Sequence, residues 1–283
     1  MPELPEAEVI AQHLRGSLLG ACVKDCWVGR SDIIREGAET RDWYRGARIT
    51  GVNRYGKSVV LSCERDRERR SILVELGMTG LLLFGPLEPR YQKHTHLVLT
   101  VEGGRVSDLC YWNPRRFGRI YLLDQNGLEQ VTRRRFGCDP LTVSWADFLV
   151  LMRRRRGRLK SLIMQQQVIA GIGNIYANEI LFRARLHPAC SVASLDELVL
   201  QRLYRVMRQV LMRAIRDGGS SVRDFRAPDG SLGRYTRRHL VYGKAGQPCP
   251  ARCGGVIQRL RASDQRSSFY CPICQQAEPV RRT

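Results

Sequence analysis

The period of the apolar positions changes twice along the chain. Over residues 4–18, Leu4, Ala7, Ile10, Leu14 and Leu18 recur at steps of three and four, the spacing that lines one face of a helix. Gly20 follows as a stop. From residue 22 to 132 the pattern becomes one of short apolar runs between turn residues: Ser58–Cys63, Ser71–Leu76, Leu81–Phe84, His96–Val101, Arg105–Trp112 and Arg119–Leu123. Strands at this spacing predict a sandwich or barrel behind a leading helix. A basic, turn-rich linker over 133–140 precedes renewed helical periodicity in Trp145–Arg154, Leu159–Gln167, Ile175–Arg185 and Leu195–Ile215. Gly218-Gly219 ends the last of these, and a polar loop runs from Ser220 to Arg238. The last ~40 residues are rich in Cys, Pro and Gly and read as a small metal-stapled module. The expected organisation is multidomain α+β: a β-sandwich with its helix over 1–132, a helical domain over 140–225 and a metal module over 240–283.

Composition narrows the function. The 283 residues suffice for roughly two domains and for a core that needs no disulfides. A net charge of +20 and a pI near 10.2 call for a polyanion or an anionic surface as partner and disfavour a small neutral substrate. The opening Met1-Pro2-Glu3-Leu4-Pro5-Glu6 is acidic, unlike a secretory or transit segment. The stretch Ile72–Phe84, broken by Glu75 and two glycines, is too short for a membrane span. Six scattered cysteines (Cys22, Cys26, Cys63, Cys110, Cys138, Cys190) read as reduced thiols of a cytosolic protein. Lys is scarce beside Arg, which singles out Lys57 and Lys160.

Four groups of residues carry chemistry. Cys249 and Cys253, then Cys271 and Cys274 across seventeen intervening residues, form the paired-cysteine pattern of a tetrahedral zinc ribbon. Four thiolates close the site, so one structural zinc is expected; iron fits the same ligands, and two disulfides are the alternative in a secreted chain. Arg259, Arg261 and Arg266 on the intervening hairpin can present charge to phosphates. At the N-terminus, removal of Met1 leaves Pro2 with a secondary amine. An α-amino group titrates near about 7.7–8.0, so it is partly neutral and nucleophilic at physiological pH. Glu3 and Glu6 lie one helical turn apart beside it, placed for proton transfer or simply for helix initiation. Gly171, Gly173 and Asn174 form a glycine hairpin that admits a phosphate closely. Upstream, Arg153–Arg156 and Arg158 are a phosphate-facing run or a solvated face. Finally, Asn113-Pro-Arg-Arg-Phe-Gly118 pairs Arg115 with Phe117 as filler and wedge for a base stack, with Met78 as a second wedge; core packing is the bland reading. His94 and His96 have no metal-ligating neighbours in sequence and suit hydrogen bonding within the fold or to DNA.

Taken in order, these motifs resemble the formamidopyrimidine-DNA glycosylase family, grouped with endonuclease VIII. The likeness runs from Pro-Glu-Leu-Pro-Glu through Gly56-Lys57, Leu-Gly-Met-Thr-Gly80, Lys93-His-Thr-His96, the Asn113–Gly118 loop and Gly-Ile-Gly-Asn-Ile-Tyr176. It continues to Gly-Gly-Ser-Ser at 218–221, Val-Tyr-Gly-Lys244 and the four cysteines. The resemblance implies an N-terminal β-sandwich, a helix–two-turn–helix domain and a zinc finger. It implies a bifunctional glycosylase and abasic-site lyase of base excision repair acting on double-stranded DNA with oxidised bases or abasic sites. The sequence gives no reason for an obligate oligomer or a membrane partner, so a monomer is expected. Pro2 would attack C1′, Glu3 would donate the proton, and Glu6 would support the site. Lys57 would hold the phosphate or assist β-elimination, and Arg266 would bind phosphate and assist δ-elimination. Asn174, His94, Arg115 and Arg156 would contact DNA, and Met78, Arg115 and Phe117 would fill the gap left by the flipped nucleotide. Leu4, the Arg115/Phe117 loop and the longer 220–235 loop favour oxidised purines (8-oxoguanine and formamidopyrimidines). The endonuclease VIII branch, acting on oxidised pyrimidines, and a non-catalytic binder of damaged DNA are the alternatives. Two departures stand out. Glu75 replaces a usual His that helps bind phosphate, and would repel phosphate unless it turns inward or pairs with an Arg. The first cysteine pair has three residues between its members where two is usual.

Overall fold

A computed structural model describes residues 2–222, 224–261 and 266–276. The chain divides into two compact units, residues 1–135 with 215–236, and residues 136–214 with 237–283. In the first unit, α1 (Leu4–Leu18) leads into β1 (Cys22–Val28), β2 (Ile34–Glu36), β3 (Arg48–Tyr55), β4 (Ser58–Arg65), β5 (Glu68–Glu75) and β6 (Leu81–Phe84). A single turn α2 (Pro89–Gln92) precedes β7 (Thr95–Glu102), β8 (Asp108–Trp112) and β9 (Arg119–Asp124), and α3 (Gln125–Arg135) closes the run.

The strands follow the order β2-β9-β5-β4-β3-β1-β7-β8-β6. Two leaves, β2-β9-β5-β4-β3 and β1-β7-β8-β6, are joined through one β1–β3 pair, Cys22 opposite Arg48. This is the expected sandwich. Alternate residues of both leaves (Val59, Leu61, Ile72, Val74 and Leu97, Leu99, Leu109, Tyr111) bury into one core, as the two-residue side-chain period of a strand requires. The apolar stripe of α1 enters the same core through Ala7, Ile10, Leu14 and Leu18, and Gly20 at φ +87° ends the helix in a conformation that favours glycine.

Three expectations need correction. Residues 125–135 are helix, not strand followed by linker: only Leu128 and Val131 face inward, onto Val60, Leu73, Tyr121 and Leu123 of the outer sheet face, too few apolar positions to mark a period. The strand expected from Arg105 begins at Asp108, because residues 103–107 turn between β7 and β8. The helix expected over 159–167 stops at Ile163, because Gln166 is used to build the hairpin that follows.

The second unit contains α4 (Trp145–Arg153), α5 (Leu159–Ile163), α6 (Asn174–Arg183), most of α7 (Glu197–Arg216), and the hairpin of β10 (Gln258–Arg261) and β11 (Ser267–Tyr270). Ser144 caps α4 by accepting the Asp147 N–H at 3.1 Å. No helix among the described residues is long and apolar enough to cross a membrane.

Candidate active site and nucleic-acid contacts

Pro2, Glu3 and Glu6 are all buried at the start of α1, the two glutamates each 1% exposed. Two buried carboxylates demand hydrogen-bond partners. Glu6 finds them on both sides: its Oε2 accepts the Glu3 N–H at 2.8 Å and its Oε1 accepts the Ser220 N–H at 2.7 Å. The first bond pins the chain next to Pro2. The second fastens the polar loop that begins at Ser220 to the same carboxylate. Gly219, at φ +81°, is required here, since a Cβ would stand 2.9 Å from Glu6 Oε1. The loop is fixed further along by Phe225, buried in the sandwich core, by the Phe84 N–H donating to the Pro228 carbonyl at 2.9 Å, and by Asp229 facing His13 Nε2 at 3.4 Å. Within this loop Arg223 lies outside the described residues, as does Met1 ahead of Pro2.

Lys57 occupies the two-residue turn joining β3 to β4, where Tyr55 pairs with Ser58. Glu8 of α1 holds Arg54 at 2.9 Å, and Arg54 donates to the Gly56 carbonyl at 3.2 Å. A nearly buried ion pair therefore ties the Lys57 turn to the helix that carries Glu3 and Glu6.

The two wedge candidates are brought together. Ser58, Glu75 and Arg119 are consecutive partners across β4, β5 and β9, so the loops carrying Lys57, Met78 and Phe117 leave the same end of the leaf. Gly77 packs against the Phe117–Gly118 backbone, where a Cβ would meet Gly118 N at 2.5 Å. Asn113, fully buried, serves both loops: its Oδ1 accepts from the Arg116 N–H at 3.1 Å and from Thr79 Oγ1 at 3.4 Å, and its Nδ2 donates to Tyr111 Oη at 2.8 Å. Held by this frame, Met78 is 41% and Phe117 56% exposed, which removes core packing as their role. Arg115 stacks over Phe117 with its guanidinium carbon 5.0 Å from the ring centroid. His96 is buried and its Nε2–H donates to the Asn113 carbonyl at 3.1 Å, so it supports the frame; His94 beside it is half-buried.

Glu75 is turned to the outer sheet face with Tyr121 and α3. Its Oε1 lies 2.6 Å from Arg135 Nη2, Tyr121 Oη donates to its Oε2 at 3.5 Å, and Arg135 also donates to Tyr121 Oη. The carboxylate is thus engaged by an arginine from α3. Burial pushes its carboxyl above the usual range, against the opposing pull of Arg135. An acid that holds its proton more tightly folded than unfolded loses stabilising effect as pH rises from 4.5 through its folded value. Glu75→Gln keeps an acceptor for Arg135 and removes that titration. Urea unfolding is expected to show the variant gaining on the unsubstituted protein from pH 4.5 toward neutrality; a constant difference over that window contradicts the assignment.

In the second unit, Gln166 builds the glycine hairpin. Its Oε1 accepts the Gly171 N–H at 2.9 Å and its Nε2 donates to the Met164 and Ile172 carbonyls at 2.8 and 2.9 Å. Half-buried Asn174 opens α6, where the positive end of the helix dipole favours an anion. Arg156 is exposed in the turn ahead of α5, and Arg266 is exposed immediately before β11. Lys160, singled out by its rarity, is buried: its Nζ donates to the Ser267 carbonyl and Ser268 Oγ, both at 2.9 Å. It fastens the finger hairpin to α5. Glu179, fully buried, accepts the backbone N–H groups of Leu240, Val241 and Tyr242 at 2.9–3.0 Å, anchoring the chain that enters the finger. Neither Gln166 nor Glu179 stands out in the sequence, because their partners are backbone groups of loops.

The four sulfurs of Cys249, Cys253, Cys271 and Cys274 lie within 4.8 Å of one another. Cys249 and Cys274 are 3.7 Å apart and Cys253 and Cys271 3.5 Å. Tetrahedral zinc with bonds of about 2.3 Å needs sulfurs roughly 3.8 Å apart, so the residues fit one structural zinc. The extra residue of the first pair is absorbed at Arg252, which adopts φ +54°. The other six cysteines are free thiols; burial pushes Cys26 and Cys63 up to about 12, and Cys110, Cys138 and Cys190 up to about 11.

Comparison with known proteins accords with this arrangement. The formamidopyrimidine-DNA glycosylase N-terminal domain model matches residues 1–120, its H2TH domain model matches 136–226, and the zinc finger found in FPG and IleRS matches 246–277. The chain is 40% identical to the formamidopyrimidine-DNA glycosylase of Thermomicrobium roseum over 97% of its own length and 99% of the relative's. It is similar to the crystal structure of the MutM (Fpg) protein of Thermus thermophilus, with a TM-score of 0.84 and 36% identity over 98% of this chain and 100% of that one. It is also similar to a Lactococcus lactis Fpg point mutant in complex with Fapy-dG containing DNA, with a TM-score of 0.86 and 29% identity over 97% and 100% of the two chains. With all three segments matched in order and the likeness running end to end, the chain belongs to the formamidopyrimidine-DNA glycosylase family.

Proposed function

We propose that the protein is a bifunctional DNA glycosylase and abasic-site lyase of base excision repair that removes oxidised purines from double-stranded DNA. The observation that carries this reading is the buried N-terminal cluster, in which Glu6 holds both the backbone beside Pro2 and the start of the 220–235 loop. With Met1 removed, the Pro2 nitrogen attacks C1′ of the damaged nucleotide. The C1′–N bond to the base breaks, and Glu3 supplies the proton that the departing base takes up. The Pro2 nitrogen gives up its proton, the C1′–O4′ bond breaks, and Glu3 passes that proton to O4′, which opens the sugar ring and leaves an iminium at C1′. The iminium acidifies C2′–H; loss of that proton breaks C3′–O and expels the 3′ phosphate, and a second elimination expels the 5′ phosphate. Lys57 and Arg266 hold phosphates and assist these steps, while Asn174, His94, Arg115 and Arg156 contact the duplex. Exposed Met78 and Phe117, with Arg115, fill the space of the flipped nucleotide. Zinc supplies no chemistry in this scheme, since four thiolates leave it no open position; it folds the hairpin that carries Arg266.

The preference for purines is supported by the length and anchoring of the 220–235 loop and by the relative solved with Fapy-dG containing DNA. We read the enzyme as acting as a monomer in the cytosol; the six free thiols outside the zinc site support the cytosolic part of that reading. Matched duplexes carrying 8-oxoguanine or thymine glycol test the substrate class. Release of 8-oxoguanine is expected to be at least ~10-fold faster, the discrimination one pocket contact provides; faster release of thymine glycol assigns the protein to the pyrimidine branch, and release of neither leaves a binder of damaged DNA.

A further inference from the structure

We infer that Asn178 is a positioning residue that sets the placement of Arg266 relative to Asn174, and so the register of two phosphate contacts. The inference rests on the reading of those two residues as phosphate ligands. Asn178 lies one turn after Asn174 on α6 and is 1% exposed. A buried amide must satisfy both its donors and its acceptor, and this one does so across two elements. Its Nδ2 donates to the Asn174 carbonyl at 2.6 Å, with the Asn174 side-chain Oδ1 at 3.3 Å and the Ser267 carbonyl at 3.5 Å. Its Oδ1 accepts the Phe269 N–H at 2.7 Å.

Ser267 C=O and Phe269 N–H are the outward-facing groups of β11, on the edge away from β10. They have the spacing that a neighbouring strand would bond. One amide side chain therefore replaces a strand on that edge, and Arg266 is the residue immediately before the fastened segment. The same amide faces the Asn174 side-chain oxygen, which turns the Asn174 NH₂ away from Asn178, the orientation that donates to an anion. Lys160 shares the Ser267 carbonyl, so the hairpin remains attached without Asn178, but its register against α6 is lost.

A purely structural role would lower stability without altering the count of phosphates held. The test is equilibrium binding of the full-length, zinc-loaded protein to a duplex with a stable tetrahydrofuran abasic analogue, measured across salt for unsubstituted protein, Asn178→Ala, Asn178→Asp, Arg266→Ala and the Asn178→Ala/Arg266→Ala pair. Asn178→Asp keeps the volume and the acceptor for Phe269 but sets an oxygen against two carbonyls. Both Asn178 variants are expected to bind about 10-fold more weakly, the size of one charge-assisted hydrogen bond. The slope of log K against log salt should fall by about 0.9, one phosphate contact. In the Arg266→Ala background, Asn178→Ala should cost less than about 3-fold, as coupled residues require. Zinc content should stay at one per chain, and cleavage at saturating protein should change less than the affinity. An equal loss in both backgrounds, an unchanged salt slope, or full affinity in Asn178→Asp overturns the inference. Arg266→Ala binding with unsubstituted affinity and slope instead overturns the phosphate reading beneath it.

Discussion

With one alanine inserted ahead of Pro2, strand cleavage at 8-oxoguanine is expected to slow by roughly 10³-fold or more, the order seen when a covalent nucleophile is removed. The insertion converts the Pro2 nitrogen from an amine into an amide, whose lone pair is delocalised and does not attack carbon. It also moves the new terminal amine about 3.8 Å from the old position. The bonds that organise the site do not involve the Pro2 nitrogen: Glu6 to the Glu3 and Ser220 N–H groups, and Glu8 to Arg54. Binding to tetrahydrofuran-containing DNA is therefore expected to stay within about 10-fold. Single-turnover cleavage and equilibrium binding on the same preparation check both halves. Cleavage at the unsubstituted rate rules out Pro2 as nucleophile.

Loss of zinc has the second large effect. Among the described residues, the four sulfurs sit in a small cluster whose apolar members are Val241, Ile257, Leu240 and Phe269 with Phe182 of α6. Without metal, nothing bonds the four sulfurs to one another. Structural zinc contributes about 10–16 kcal/mol of apparent binding free energy in finger peptides, which is folding free energy of the module. Cys271→Ser, or a chelator, is expected to unfold the hairpin and detach Arg266. DNA affinity should fall by about 10²-fold, the worth of one to two charge-assisted contacts. The core of the first unit, which contains none of these cysteines, should still unfold cooperatively. Metal analysis, binding and thermal melting report the three quantities; unchanged affinity after metal loss refutes the role given to the finger.

The features legible in the sequence are those whose determinants are local. Helix α1 is read to its ends because its apolar stripe is unbroken and Gly20 stops it. The cysteine cluster is legible because each ligand pair is close in sequence, and even the extra residue between Cys249 and Cys253 is accommodated within that turn. Met78 and Phe117 are marked by their motifs, but only the packing of Asn113 and Gly77 shows why they stand out from the surface. What the sequence hides are long-range partners. The Glu6–Ser220 bond spans 214 residues and the Asn178–Phe269 bond 91. Glu75 looks incompatible with phosphate until Arg135 is seen beside it, and Arg135 sits in a helix whose two apolar residues left no period to read. Lys160 shows the converse: a lysine conspicuous by scarcity is bound to the finger hairpin.

The central claim is a covalent bond between the Pro2 nitrogen and C1′ of the damaged nucleotide. Borohydride reduction of the protein during its reaction with 8-oxoguanine DNA, followed by proteolysis and mass spectrometry of the adduct, tests it directly. The account predicts one sugar adduct, on the N-terminal peptide that begins at Pro2. An adduct on Lys57 or another lysine, or cleavage of the DNA with no trapped species, would contradict it.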